Sequence, residues 1–180
     1  MKTKDLVLCA VFVALVAISA MITIPIGPVP ITLQTPMVIL TGALLGSRLG
    51  VMTMVVYLIA GLIGIPVFAG GSGGFGSLLS PSFGFVIGFI PLAYFAGLGN
   101  REGQSVLKAI LTTAVGMVIL FTFGFLYFYF IMNNVLESPK GLAESIMLTV
   151  APFIVKDLIV TVVTVLFAQT LVRRGITAHA

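Results

Sequence analysis

The sequence predicts an all-α membrane protein: one integral domain over residues 1–180, crossing the bilayer with six transmembrane helices. Three observations carry this prediction. Of the 180 residues, 59% are hydrophobic and 8% charged, and the mean hydropathy is +1.26. A soluble domain carries roughly 25% charged residues, so these charges are too few to cover a water-facing surface. Apolar runs recur along the whole chain, most of them near the length of about 20 residues that a helix needs to span lipid. The lysines and arginines, finally, gather on one side of the path that these runs trace.

The first span runs from about Leu6 to Ile24. Lys2 and Lys4 precede it, and Ser19-Ala20-Met21 loosely resembles a cleavage site. The run is long for a signal h-region and is followed by further apolar sequence, so it reads as a retained span. Pro25, Gly27, Pro28 and Pro30 then break the helix. A short second span covers about Thr35 to Gly46, and Ser47-Arg48 makes a polar turn. The third span runs from about Leu49 to Phe68, followed by a glycine-rich, uncharged loop from Ala69 to Ser80. The fourth covers about Pro81 to Leu98 and ends at Gly99-Asn100-Arg101-Glu102-Gly103. The fifth covers about Val106 to Met132. A polar stretch from Asn133 to about Ser145 precedes the sixth, from about Thr149 to Val172, which ends at Arg173-Arg174-Gly175.

The formal charge of +4 would raise nucleic acid as a partner for a soluble chain. Here the positive-inside bias explains it more simply. With the N-terminus inside, Lys2, Lys4, Arg48, Arg101, Lys108, Arg173 and Arg174 fall on the cytoplasmic side, and Lys140 falls outside. Both termini are then cytoplasmic, and Arg48 reads as an orientation charge. The outer side receives the Pro-rich loop 25–34, the Gly-rich loop 69–80 and the stretch 133–148. The first two carry no charge. Irregular backbone is tolerated at membrane depth where it is buried in protein or lines a cavity, so these loops are expected to lie over the outer end of the bundle as a lid or lining.

Few residues offer chemistry. Lys156 and Asp157 lie within the sixth span, where one charge costs about 2.5–3.5 kcal/mol on insertion scales. They serve either as ligand groups or as a structural pair, with Lys156 also long enough to snorkel to the interface. Gln34 offers an amide donor and acceptor just before the second span, for a ligand or for bracing the loop. Gly71 to Gly76, GSGGFG, fits the spacing of a dinucleotide loop but lacks the strand, helix and acid that the fingerprint requires. Its reading is a flexible hairpin or a backbone surface that a small ligand approaches closely. Ala10 and Ala14 form a small-x-x-x-small face for packing within the protein or against another membrane subunit. Phe121, Phe123, Phe125, Tyr127, Phe128, Tyr129 and Phe130 suit an interfacial belt, and some suit stacking on a ligand. Cys9 is the sole cysteine, which excludes an internal disulfide.

Enzyme readings fail. His179 is the sole histidine and sits near the end of the chain, which removes Ser–His catalysis and any His-rich metal site. No catalytic residue, metal or cofactor is expected. The spans also leave little chain for a soluble ATP-binding domain.

At the Pro-rich loop the sequence resembles a known family. GPVPITLQT (Gly27 to Thr35) is similar to the signature of the BioY family, the biotin-specific S components of energy-coupling factor (ECF) transporters. The resemblance continues through GALLGSRLG (Gly42 to Gly50), YLIAGLIGIPVFAGGSGG (Tyr57 to Gly74), PSFGF (Pro81 to Phe85) and PFIVKDL (Pro152 to Leu158). It implies a six-helix S-component fold in the plasma membrane of a prokaryote and high-affinity capture of biotin, the transported ligand, from outside. It also implies a coupling subunit in the membrane and two cytoplasmic ATPases as partners, with Ala10 and Ala14 on the docking face. Two positions depart from the family pattern. Where the family has Gly-Asp-x-x-Lys at the start of the last helix, Lys156 replaces the glycine and Val160 the lysine, which moves the positive partner to Lys156. Phe85 stands where a tyrosine is common.

Biotin would suit such a pocket. Its ureido N–H groups need an acceptor such as Asp157, and its ureido carbonyl needs donors such as Gln34, Ser72 or Lys156. Its carboxylate needs a cation or the backbone N–H groups of the run containing Ser72, Gly73 and Gly74. Its rings need apolar walls such as Tyr57, Phe68 and Phe85. Three other readings stay open: an S component for another small vitamin, an oligomeric biotin transporter that works without ATPases, and a purely structural membrane subunit that binds no ligand.

Overall fold

The computed structural model describes residues 3–101 and 103–177; Lys2, Glu102 and His179 lie outside them. The chain is helical: α1 (Thr3–Met21), α2 (Gln34–Leu62), α3 (Phe83–Gly99), α4 (Val106–Asn134), α5 (Leu142–Thr149) and α6 (Ala151–Arg173), with a two-residue hairpin of β1 (Thr23–Ile24) and β2 (Ile31–Thr32) and two 3-10 turns, Ala69–Gly71 and Phe75–Leu79. Among the described residues, four stretches are long and apolar enough to cross a membrane: Thr3–Met21, Gln34–Leu62, Val106–Asn134 and Leu142–Arg173, the last joining α5 to α6; Phe83–Gly99 is apolar but shorter. The molecule is a multi-pass membrane protein. Its outward-facing side chains are themselves apolar, among them Leu107, Val118, Val155 and Leu158, as a surface solvated by lipid requires.

Length alone treats α2 as one rod, but its geometry does not. At Gly46 the backbone leaves the helix, with φ 79° and ψ 169°, a region essentially reserved for glycine. Gln34 and Tyr57 would be about 35 Å apart along an unbroken helix, yet their side chains are hydrogen-bonded at 2.7 Å. The chain therefore reverses at Gly46, and residues 34–45 and 47–62 form two arms lying side by side. A side chain on Gly42 would run into the Ala93 carbonyl, so this arm packs backbone to backbone against α3. The sequence reading needs two corrections here: the turn centres on Gly46 rather than on Ser47-Arg48, and the second arm ends at Leu62 rather than at Phe68. Gly64 at φ 108° and Pro66 cannot continue the helix.

The stretch 133–148, expected as a polar loop, contains the end of α4 and all but the last residue of α5. Asn133 ties it down, accepting from the Lys140 N–H at 3.0 Å and donating to the Lys140 carbonyl at 3.2 Å. The main core lies between α2, α3 and α4 with contributions from α1 and α6, and includes Val16, Ile39, Met54, Tyr57, Leu92 and Leu120. Cys9 is buried there against α2, its Sγ 3.9 Å from the Leu49 carbonyl oxygen. A smaller cluster of Val29, Phe128, Met132 and Phe153 closes one end.

Candidate functional site

At that end, the hairpin, the 3-10 turns, the starts of α2, α3 and α6 and the middle of α4 enclose a cavity of about 220 Å³. Its apolar walls are Phe68, Phe83, Phe85, Phe89, Leu120, Phe121 and Phe153, and its roof comes from Pro28, Val29, Pro30 and Thr32. The roof is fixed in place. β1 and β2 pair Thr23 with Thr32 and Ile24 with Ile31, and Val29 is buried among Phe128, Met132 and Phe153. The Gly-rich loop is tied down as well. The Tyr127 hydroxyl donates to the Leu78 carbonyl at 2.6 Å, and the Gly74 N–H donates to the Gly61 carbonyl at 2.7 Å. Internal hydrogen bonds of this kind let irregular backbone persist beside lipid.

Lys156 and Asp157 both line the cavity. The Lys156 Nζ lies 2.6 Å from Asp157 Oδ1, with the aspartate side chain 4% exposed and the lysine 31%. Neighbours on a helix project about 100° apart, so the lysine has to bend back to reach its partner, and its Nζ lies 5.7 Å from the centre of the Phe153 ring. The approach to Oδ1 is close but oblique, and that oxygen accepts no directed hydrogen bond. A buried carboxylate held by one half-exposed ammonium retains acceptor capacity for a ligand.

Gln34, the first residue of α2, is 4% exposed. Its Nε2 donates to the Tyr57 hydroxyl at 2.7 Å, and its Oε1 accepts from Thr32 Oγ1 at 3.0 Å. The Tyr57 hydroxyl donates onward to the Val67 carbonyl at 2.7 Å. This chain of bonds joins both arms of α2 to the segment that presents Phe68. Phe68 packs edge-on to Tyr57 and to Phe83, with ring centres 5.6 and 5.9 Å apart.

Of the residues expected to meet a ligand, Gln34, Phe68, Ser72, Phe85, Lys156 and Asp157 line the cavity. Three do not. Tyr57 is fully buried behind Gln34 and braces the wall instead of forming it. Gly73 and Gly74 lie off the cavity, and the N–H groups of Gly71 and Gly74 are engaged within the fold by the carbonyls of Phe68 and Gly61. Those two amides are not free to hold a carboxylate. Ala10 and Ala14 are exposed on α1, away from the cavity. The aromatic run of α4 divides: Phe121 lines the cavity, Phe128 is buried, and Phe123 and Phe130 face outward.

The sequence reading missed the hydroxyls of Thr35, Ser77, Ser80 and Ser82, all lining the cavity. Thr35 directly follows Gln34 in the GPVPITLQT string, a signal that was legible. The serines lie in and after a loop that reads only as flexible, and Ser80 and Ser82 pair with each other at 2.9 Å. The ensemble can hold a small, partly apolar molecule by a buried acceptor and a half-exposed donor on α6 and by hydroxyls from the Gly-rich loop.

Relatives of known kind agree with this geometry. The chain is 38% identical over 171 residues to the probable biotin transporter BioY of Pyrococcus horikoshii, covering 95% of this chain and 98% of that one. It is 38% identical over 179 residues to the biotin transporter BioY of Rhodobacter capsulatus, covering 93% of each. Its fold matches the crystal structure of the S-component for biotin from an ECF-type ABC transporter, with a TM-score of 0.82 and 28% identity over 96% of this chain and 95% of that one. The model of the BioY family matches residues 1–176, and with the cavity, its roof and the α6 pair all falling inside that span, the chain belongs to the BioY family.

Proposed function

We propose that this protein captures biotin from outside the cell as the S component of an ECF-type importer and performs no covalent chemistry. The observation that carries the reading is the buried Asp157 carboxylate beside the half-exposed Lys156 ammonium in a cavity roofed by uncharged loops. A ureido group presents N–H donors beside a carbonyl acceptor, and the pair presents an acceptor beside a donor. Asp157 takes the N–H groups and Lys156 the carbonyl. The biotin carboxylate points toward Ser72, Ser77 and Thr35, whose hydroxyls replace the loop amides in that role. Phe68 and Phe85 flank the fused rings, and no other cofactor is needed.

The reversal of α2 makes six crossings of the bundle, with both termini on the cytoplasmic side and the cavity at the outer face of the plasma membrane. Ala10 and Ala14 dock a membrane coupling subunit that carries two cytoplasmic ATPases. Two relatives named as biotin transporters and a structural neighbour from an ECF-type transporter support biotin over another vitamin, and an energised module over a self-sufficient oligomer. The test is accumulation of labelled biotin by a biotin-requiring host that lacks any coupling module. The chain alone should bind biotin without concentrating it, and co-expression of a coupling subunit and ATPases should restore accumulation that unlabelled riboflavin or thiamine does not compete. Full accumulation by the chain alone would refute the ECF reading.

A further inference from the structure

We propose that the opposite end of the bundle carries a second site, one that binds a phosphate group. The reversal of α2, the end of α3 and the segment after α6 enclose a cleft of about 480 Å³ there, lined by Ser47, Arg48, Gly97, Asn100, Arg101 and Thr177 among others. No acidic residue among the described ones lines it. Arg48 and Arg101 both reach it, and neither forms an ion pair among the described residues. Two guanidinium groups that line one cleft, with no acid among its described lining residues, repel each other, and an anion between them relieves that repulsion.

Ser47 is an independent pointer. It is 8% exposed and lines the cleft, and its hydroxyl is not among the solvent-excluded groups, so it is open to a molecule in the cleft. It also opens the second arm of α2, immediately after Gly46 leaves helical geometry. A helix that starts there directs N–H groups without intrahelical acceptors, and the positive end of its dipole, into the same space. Asn100 is 2% exposed and forms a fixed wall, donating to the Ala96 carbonyl at 2.8 Å and accepting from Gln169 Nε2 at 3.3 Å. A hydroxyl, helix-start amides and two planar guanidinium forks together match a tetrahedral oxyanion. The ligand is therefore a phosphate, either the headgroup of an anionic phospholipid at the membrane surface or a soluble phosphate.

The test uses the full-length protein in neutral detergent. Native mass spectrometry counts retained phosphatidylglycerol against phosphatidylcholine, and equilibrium dialysis measures radiolabelled inorganic phosphate. The wild type should retain phosphatidylglycerol selectively, and R48A/R101A should weaken binding about tenfold or more, the loss expected for charge-assisted hydrogen bonds; S47A should weaken it less. Phosphatidylglycerol binding without phosphate binding assigns the site to lipid, and binding of both opens it to soluble phosphate. Equal binding by the wild type and R48A/R101A would overturn the proposal. An equal loss in R173A/R174A would also overturn it, because a diffuse positive end rather than the cleft would then be responsible. So would loss of coupling-subunit co-purification in R48A/R101A with lipid binding intact, since the cleft would then be a protein contact.

Discussion

Gln34 and Tyr57 stand on opposite arms of α2 and share a 2.7 Å hydrogen bond, which makes the roof of the cavity and its inner wall one mechanical unit. Gln34 begins α2 directly after the hairpin, and through Tyr57 it is linked to Val67 and so to the segment carrying Phe68. A ligand that moves the hairpin must therefore also disturb the arm behind it.

Tyr57→Phe removes the hydroxyl from this chain and leaves the Gln34 amide and the Val67 carbonyl each one partner short inside the bundle. The expected loss is about 1–3 kcal/mol of stability, the cost of leaving buried polar groups unsatisfied. Denaturant unfolding in detergent measures it, and faster amide exchange around residues 65–72 should accompany it.

Asp157→Asn keeps the shape of the side chain and removes its charge. Hydrogen bonds to a charged group are worth about 1.5–3 kcal/mol, so biotin affinity should fall about ten- to a hundredfold with the fold intact. Lys156→Ala leaves the aspartate buried without its cation. It should lower both affinity and stability, the latter by less than the about 3–5 kcal/mol of a fully buried pair, because Lys156 remains 31% exposed. A double-mutant cycle read by biotin binding should show strong coupling between the two positions.

Gly46→Ala places a Cβ at φ 79°, ψ 169°, where only glycine is at ease. The expected cost is about 1–3 kcal/mol, read as a lowered unfolding midpoint. Because the reversal lies at the far end of the bundle from the cavity, biotin affinity of the folded fraction should change little.

Ala10→Leu/Ala14→Leu enlarges an exposed face of α1 without touching the core or the cavity. Biotin binding by the isolated protein should be unchanged, while co-purification with a coupling subunit should be lost, since close helix approach in lipid depends on small residues.

Much of this was legible in the residues. Composition forced a helical membrane protein, and Pro25, Pro28 and Pro30 marked the first loop. The intramembrane acid pointed to Asp157, which the structure buries at the cavity wall. The errors have local causes. Tyr57 sits in a favourable string, but its face of the helix turns toward Gln34 and Val67, a fact of helical phase that adjacency in sequence does not convey. Gly73 and Gly74 read as free backbone, but a glycine-rich loop beside lipid has to satisfy its own amides, and Gly74 does so through Gly61. Helix α5 was missed because Glu137, Lys140 and Glu144 mimic a solvated loop, whereas Lys140 and Glu144 form an i,i+4 pair at 2.6 Å.

The central claim is that the roofed cavity with the α6 pair captures biotin, and calorimetric titration of the purified protein with biotin tests it most directly. The account predicts one saturable binding event per chain, weakened in Asp157→Asn and absent with riboflavin or thiamine. A flat titration from protein carrying no co-purified biotin, or an Asp157→Asn variant that binds as tightly as the wild type, would contradict it.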